Sequence, residues 1–251
     1  LADANKGTLV ASLIRMELEP AKVEVKGPDG ALDSAATTDR YRAHYWDNTD
    51  LTDERILRAP VFQNKFDEYI GKVVPQIPDT INKLADDLIS RMSSTPELFK
   101  FAVHNITYKY ETSEIMGMDA VFVHMAQSYY CPKGNEPSKA TWMSKDKLDK
   151  LCERARKQAP IVIGAKAKNI ILTDTTEQRW IDMYKMPSEY VLVVFWDPHC
   201  GHCKKTLPDL YKQYQEKLKP IGVEVYSVAK ATDSTLFADW KAFIRDNKLY
   251  W

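Results

Sequence analysis

Seven consecutive apolar residues, Tyr190-Val191-Leu192-Val193-Val194-Phe195-Trp196, form the longest such run in the chain. β-Branched and aromatic residues dominate it, so it reads as a buried strand. A helical pattern then runs from about Cys200 to Leu218, and its first four residues are Cys200-Gly201-His202-Cys203. A strand that hands over to a helix at a C-x-x-C tetrapeptide leaves few folds open and points to one chemistry.

That chemistry is thiol–disulfide exchange. The reactive species is a thiolate, and a free cysteine titrates near 8.5. At a helix N-terminus, unpaired backbone N–H groups and the positive end of the dipole favour the anion. Cys200 is therefore the expected nucleophile. Cys203, one turn further along the helix, is the expected resolving thiol and the more buried of the two. His202, when protonated, is expected to stabilise the Cys200 thiolate and to make the couple more oxidising than one with proline there. Zinc binding by the two cysteines with His199 and His202 is a competing use, as is an inert disulfide. A structural zinc site would need a second cysteine pair, and only Cys131 and Cys152 remain, in a helical region.

The order of elements places this centre in the second part of the chain. Residues 1–50 read as an N-terminal helix at 8–16, with Leu9, Leu13 and Met16 on one face, and an irregular linker holding the turn Gly27-Pro28-Asp29-Gly30. Residues 51–160 read as a helical domain. Thr52 before Asp53 and Glu54 is a helix start, and Pro60 interrupts that helix or begins another. Stripes then run along Ile81, Leu84, Leu88, Ile89 and Met92, and along Phe99, Val103, Ile106 and Tyr110. Thr95 before Pro96 caps the second of these. A further helix covers roughly 118–130, and Ser144 caps a last one carrying Leu148, Leu151, Cys152 and Ala155. Residues 161–251 read as β-β-β-α-β-α, an α/β sandwich, so the whole is an α+β chain.

Composition limits the partners. Lysine plus arginine equal aspartate plus glutamate at 35 each, which gives no reason to expect nucleic acid or an anionic membrane. No apolar run approaches the roughly 18 residues of a membrane-spanning helix. The chain begins Leu1-Ala2-Asp3 with no signal peptide, and reads as the interior of a longer precursor. No cofactor or metal is called for.

The stretch Val193-Val194-Phe195-Trp196-Asp197-Pro198-His199-Cys200-Gly201-His202-Cys203-Lys204-Lys205-Thr206-Leu207-Pro208 resembles the thioredoxin superfamily, and most closely its TlpA/ResA-like branch. The resemblance rests on the aromatic pair, the C-x-x-C and Pro208 five residues after the second cysteine. It implies that Cys200, Cys203 and His202 are catalytic and that Trp196, Pro198, His199, Gly201 and Pro208 support them. Upstream, Ala43–Asn48, Arg58–Lys65 and Ile115–His124 resemble a helical domain of unknown function that precedes thioredoxin domains in bacterial extracytoplasmic proteins. That implies a periplasmic or lipoprotein setting with a membrane tether outside this chain. The implied partners are protein disulfides and a thiol electron donor.

Three positions depart from the pattern. The buried aspartate that thioredoxins carry six residues before the first cysteine is Val194 here, and the glutamate common in the TlpA/ResA-like branch three residues after the second is Thr206. Lys230 or a water is left to take the proton from Cys203. The later strand pair with a cis-proline opposite the dithiol is not found before Trp251. The expectation is an incomplete thioredoxin-like domain that self-associates through an open sheet edge, with activity belonging to the full-length protein. A binding or scaffold module, with the dithiol secondary, is the rival class. A peroxidase is weaker, because Trp196 and Asp197 stand where the P-x-x-x-T/S-x-x-C motif needs other residues.

The remaining candidates read as structural. His104 and His124 sit on helices beside aromatics. Tyr45, Trp46, Tyr129 and Tyr130 are packing residues rather than a ligand platform. Cys152 shares its helix's apolar face and reads as a buried thiol, with a Cys131–Cys152 disulfide as the alternative.

Overall fold

The structure, a computed structural model, describes residues 1–230 and 233–251. The chain divides into two compact units, Leu1–Ala167 and Lys168–Trp251.

The first unit is helical: α1 (Leu9–Met16), α2 (Ser34–Ala43), α3 (Pro60–Glu68), α4 (Pro78–Arg91), α5 (Pro96–Glu111), α6 (Asp119–Met125) and α7 (Lys145–Gln158). Pro60, Pro78 and Pro96 each open a helix. Proline fits there because the first helical N–H has no intrahelical partner. The core gathers Trp46, Phe62, Phe66, Ile81, Leu88, Ile106 and Phe122. Tyr45 and Tyr69 pack against Trp46 with ring centroids 5.3 and 5.2 Å away, so the aromatic cluster is packing, as expected. Tyr129 and Tyr130 are also buried.

Several local expectations need correction. Helix α2 lies inside the stretch expected to be irregular. Its sequence SAATTDRYRA buries no residue, so it carries no apolar stripe to read. It is held instead by Asp33, whose carboxylate accepts from the Ala36 N–H at 2.9 Å, and by Arg42, whose Nε donates to the Val73 carbonyl at 3.1 Å. The helical turn after Thr52 is a short 3-10 segment, Glu54–Arg58, capped by Asp53. The Thr52 hydroxyl donates to Asp50 at 2.6 Å instead. Thr95 stands at the N-cap of α5, but its hydroxyl donates to the Thr52 carbonyl at 3.2 Å. Ser144 precedes α7 without a side-chain capping bond.

Cys152 is not a free buried thiol. It forms a disulfide with Cys131, with Cα atoms 5.5 Å apart. The apolar face of α7 carries Cys152 inward, and the loop after the turn Ala126–Tyr130 brings Cys131 to it.

Among the described residues, the second unit holds four strands and two α-helices: β1 (Ile171–Thr173), β2 (Trp180–Asp182), β3 (Tyr190–Trp196), α8 (Gly201–Gln213), β4 (Val223–Ala229) and α9 (Ser234–Asp246). β1 and β2 form an antiparallel hairpin. β3 and β4 pair in parallel from Tyr190↔Val223 to Trp196↔Ala229, with α8 as the connection. Tyr226 donates from its hydroxyl to the Ile181 carbonyl at 2.9 Å, which ties the hairpin to β4. The run 190–196 is less buried than its composition predicts. Val194 and Trp196 face a small core with Leu207, Phe243 and Leu249, while Phe195, on the opposite face, is 70% exposed.

Candidate functional site

β3 ends at Trp196, whose ring is fixed on both sides. It packs against Phe243 at 5.3 Å, and its Nε1 donates to Ser227 Oγ at 2.9 Å. The next three residues form a tight loop that delivers Cys200 to the N-cap of α8. In that loop the Asp197 carboxylate accepts from the His199 N–H at 2.8 Å, and the Asp197 carbonyl accepts from the Cys200 N–H at 3.0 Å. Pro198 is buried. These bonds fix where Cys200 starts the helix.

The two sulfurs meet at that helix start. Cys200 is held below the usual thiol range: the backbone N–H and then the thiol of Cys203 face its sulfur, and the His202 N–H adds to them. This is anion stabilisation by an N-terminal turn. Partial burial and the Asp197 charge act the other way. Cys203 is pushed up. The Asp197 N–H facing its sulfur favours the anion, but the bond to Cys200, burial, and the charges of Cys200 and Asp197 outweigh it. Cys203 packs against the Trp196–Leu207–Leu249 core. The pair is thus split, with the Cys200 thiol held low and the Cys203 thiol held high.

The other predicted site residues fall around this pair in different ways. The His202 ring is exposed, and it is the His202 main-chain N–H that acts on Cys200. The His199 imidazole pairs with Asp239 on α9, Nε2 to Oδ2 at 2.6 Å. Gly201 is exposed, and a side chain at that position would meet nothing within 4 Å. Pro208 lies inside α8, where it removes one helical hydrogen bond. Lys230 sits with Asp197, Nζ to Oδ2 at 3.4 Å. Among the described residues, no group of three metal-ligating side chains comes together.

Asp197 and Asp239 were not expected at the site. Asp197 could have been read from Asp-Pro-His, a turn in which an aspartate caps its own loop. Asp239 is distant in sequence and gives no local signal.

Two histidines outside the site engage neighbouring side chains. His124 pairs with Asp86 at 2.9 Å, and Tyr129 donates to the same carboxylate at 2.6 Å. The His104 and Tyr108 rings stack with centroids 6.3 Å apart. Tyr45 lines a polar cleft of about 210 Å³ with Met16, Glu17, Lys65 and Glu68.

Comparison with known proteins matches both units. A family model described as Domain of unknown function (DUF5106) covers residues 31–158, and one described as AhpC/TSA family covers residues 163–251. A search of curated proteins gives no match. A solved structure, described as the crystal structure of a thioredoxin-like protein from Bacteroides caccae ATCC 43185, aligns with a TM-score of 0.56 at 16% identity. The alignment covers 92% of this chain and 87% of that one. The second unit thus matches the AhpC/TSA family model and has a thioredoxin-like fold.

Proposed function

We propose, from the premise that this chain belongs to the DUF5106 family and joins that domain to one of the thioredoxin superfamily, that it is a thiol–disulfide oxidoreductase acting on protein disulfides through Cys200 and Cys203. The observation that carries this reading is the asymmetry of the pair: Cys200 stands at the N-cap of α8 and is held low, whereas Cys203 packs against the core and is held high.

The cycle follows from that asymmetry. The Cys200 thiolate attacks one sulfur of a substrate disulfide, and the substrate S–S bond breaks as a mixed disulfide forms. The displaced substrate thiolate takes up a proton. Cys203 then loses its proton and attacks the Cys200 sulfur, which releases the second substrate thiol and leaves a Cys200–Cys203 disulfide. Two electrons pass to the substrate, and an external thiol donor restores the dithiol.

The Cys131–Cys152 disulfide supports an oxidising, extracytoplasmic setting, since such bonds persist outside reducing compartments. Among the described residues no helix is long and apolar enough to cross a membrane.

The test is thiol-driven reduction of a disulfide-containing protein by the full-length protein. Turnover abolished by Cys200→Ser supports the proposal. Turnover unchanged by that substitution would overturn it, and absence of turnover in the wild type would favour a binding module. Peroxide reduction is a second reading that the AhpC/TSA match alone favours. Thiol-dependent peroxide consumption that needs Cys200 and exceeds disulfide turnover would replace the first reading with this one.

A further inference from the structure

Asp197 and Lys230 are brought together by the strand register. The β3–β4 ladder ends at the pair Trp196↔Ala229, so Asp197 and Lys230 are the first residues beyond it on adjacent parallel strands. The Lys230 N–H extends the ladder by one bond, to the Trp196 carbonyl at 2.8 Å, and this holds the base of the lysine beside the base of the aspartate. Their side chains meet at 3.4 Å.

Asp197 is also bound into the dithiol loop. Its carboxylate accepts from the His199 N–H and its carbonyl from the Cys200 N–H, while its own N–H faces the Cys203 sulfur. The carboxylate therefore keeps a fixed position relative to both sulfurs, and with its side chain 29% exposed it is only partly screened by water. Its negative charge disfavours both thiolates. The position where related thioredoxins carry a strand acid is the apolar Val194.

The thermodynamic consequence has a definite sign. A dithiol–disulfide couple becomes more oxidising as its thiolate is stabilised, because the stabilised species exists only in the reduced form. A carboxylate beside the sulfurs acts in the opposite direction. A cation paired to that carboxylate offsets its effect.

We propose that Asp197 and Lys230 are positioning residues that set the potential of the Cys200–Cys203 couple, with Asp197 holding it reducing and Lys230 limiting how far. This rests on the reading of the pair as a redox couple. Other titratable or charged groups near the sulfurs, among the described residues, include His202 and Lys204 in the first turn of α8 and His199 with its α9 partner Asp239. The substitutions below leave all four in place.

Asp197→Asn and Lys230→Gln in the full-length protein test the proposal. Asparagine keeps an Oδ1 to accept from His199 while removing the charge. Two quantities are read: the pH midpoint for iodoacetamide alkylation of Cys200 in the reduced protein, and the equilibrium of the pair with glutathione. Asp197→Asn is expected to lower the midpoint and shift the glutathione equilibrium about threefold toward the dithiol, which corresponds to about 15 mV. Lys230→Gln is expected to move both in the opposite direction, and to do so less when Asn already occupies 197. Loosening of the loop would move both variants the same way. A common direction, or no movement in either quantity, therefore overturns the proposal. If the wild-type pair forms no disulfide with glutathione, the redox reading of the site fails, while the alkylation midpoints still decide whether Asp197 and Lys230 act on the thiolate with opposite signs. Lys230→Met serves in place of Lys230→Gln if the latter does not fold.

Discussion

The Cys131–Cys152 disulfide is expected to account for a large part of the stability of the helical unit. It joins residues 21 apart in sequence. Closing a loop of that length removes about 11 cal/mol/K of chain entropy from the unfolded state, or about 3 kcal/mol at 25 °C. For a unit of 167 residues, that corresponds to a fall in Tm of about 10 °C. Cys131→Ser is the informative variant. Cys131 is half-buried in a loop, whereas Cys152 is 7% exposed on the apolar face of α7, and a lone thiol is tolerated there better than a hydroxyl. Urea unfolding followed by far-UV circular dichroism, on oxidised wild type, reduced wild type and Cys131→Ser, gives the stabilities directly. Titration of free thiols in the denatured oxidised protein shows whether the bond is present. The variant and the reduced wild type should agree with each other and fall about 3 kcal/mol below the oxidised protein. A loss below about 1 kcal/mol, or free thiols at both Cys131 and Cys152, would refute the reasoning.

His202→Pro removes both the imidazole and the N–H that faces Cys200. It should make the couple more reducing by tens of millivolts, where about 30 mV is a tenfold change in equilibrium, and His202→Ala should reproduce less than half of that shift in a glutathione titration. A larger effect from alanine would return the role to the ring. Burial raises the phenols of Tyr41, Tyr69, Tyr110 and Tyr130, Tyr110 to about 12. The unfolded chain then ionises first, so stability is full below pH about 10 and falls above it. Urea midpoints at pH 8 and 10.5 should differ for the helical unit, and equal midpoints would contradict this. Asp86→Ala leaves His124 and Tyr129 without their shared acceptor. It should cost about 1–2 kcal/mol, and a neutral result would show that water replaces the carboxylate.

Much of this architecture could be read from the sequence because it is written in local patterns. The stripes of α4 and α5, the prolines that open three helices and the run 190–196 ahead of C-x-x-C each carry a local physical cause. Helix α2 was not legible, since a helix that buries nothing has no periodicity and depends on Asp33 and on Arg42 reaching a distant carbonyl. The disulfide could not be assigned from two cysteines whose spacing is equally compatible with free thiols. At the site, the cysteines and the helix start were legible, but the electrostatic surroundings were not. Asp197 meets Lys230 only through the β3–β4 register, and Asp239 meets His199 only because α9 packs beside the loop. The exposure of Phe195 likewise depends on which face of β3 the helices cover, which composition does not state.

The central claim is that Cys200 attacks and Cys203 resolves, and trapping the mixed disulfide tests it most directly. Cys203→Ser protein, reduced and then mixed with a disulfide-bonded peptide, should accumulate a stable adduct. Mass spectrometry after proteolysis should place the peptide on Cys200. Cys200→Ser should accumulate little, because the Cys203 thiol is held above the usual range and faces the core. An adduct that forms faster on Cys203 in the Cys200→Ser protein than on Cys200 in the Cys203→Ser protein would contradict the assignment of nucleophile and resolver.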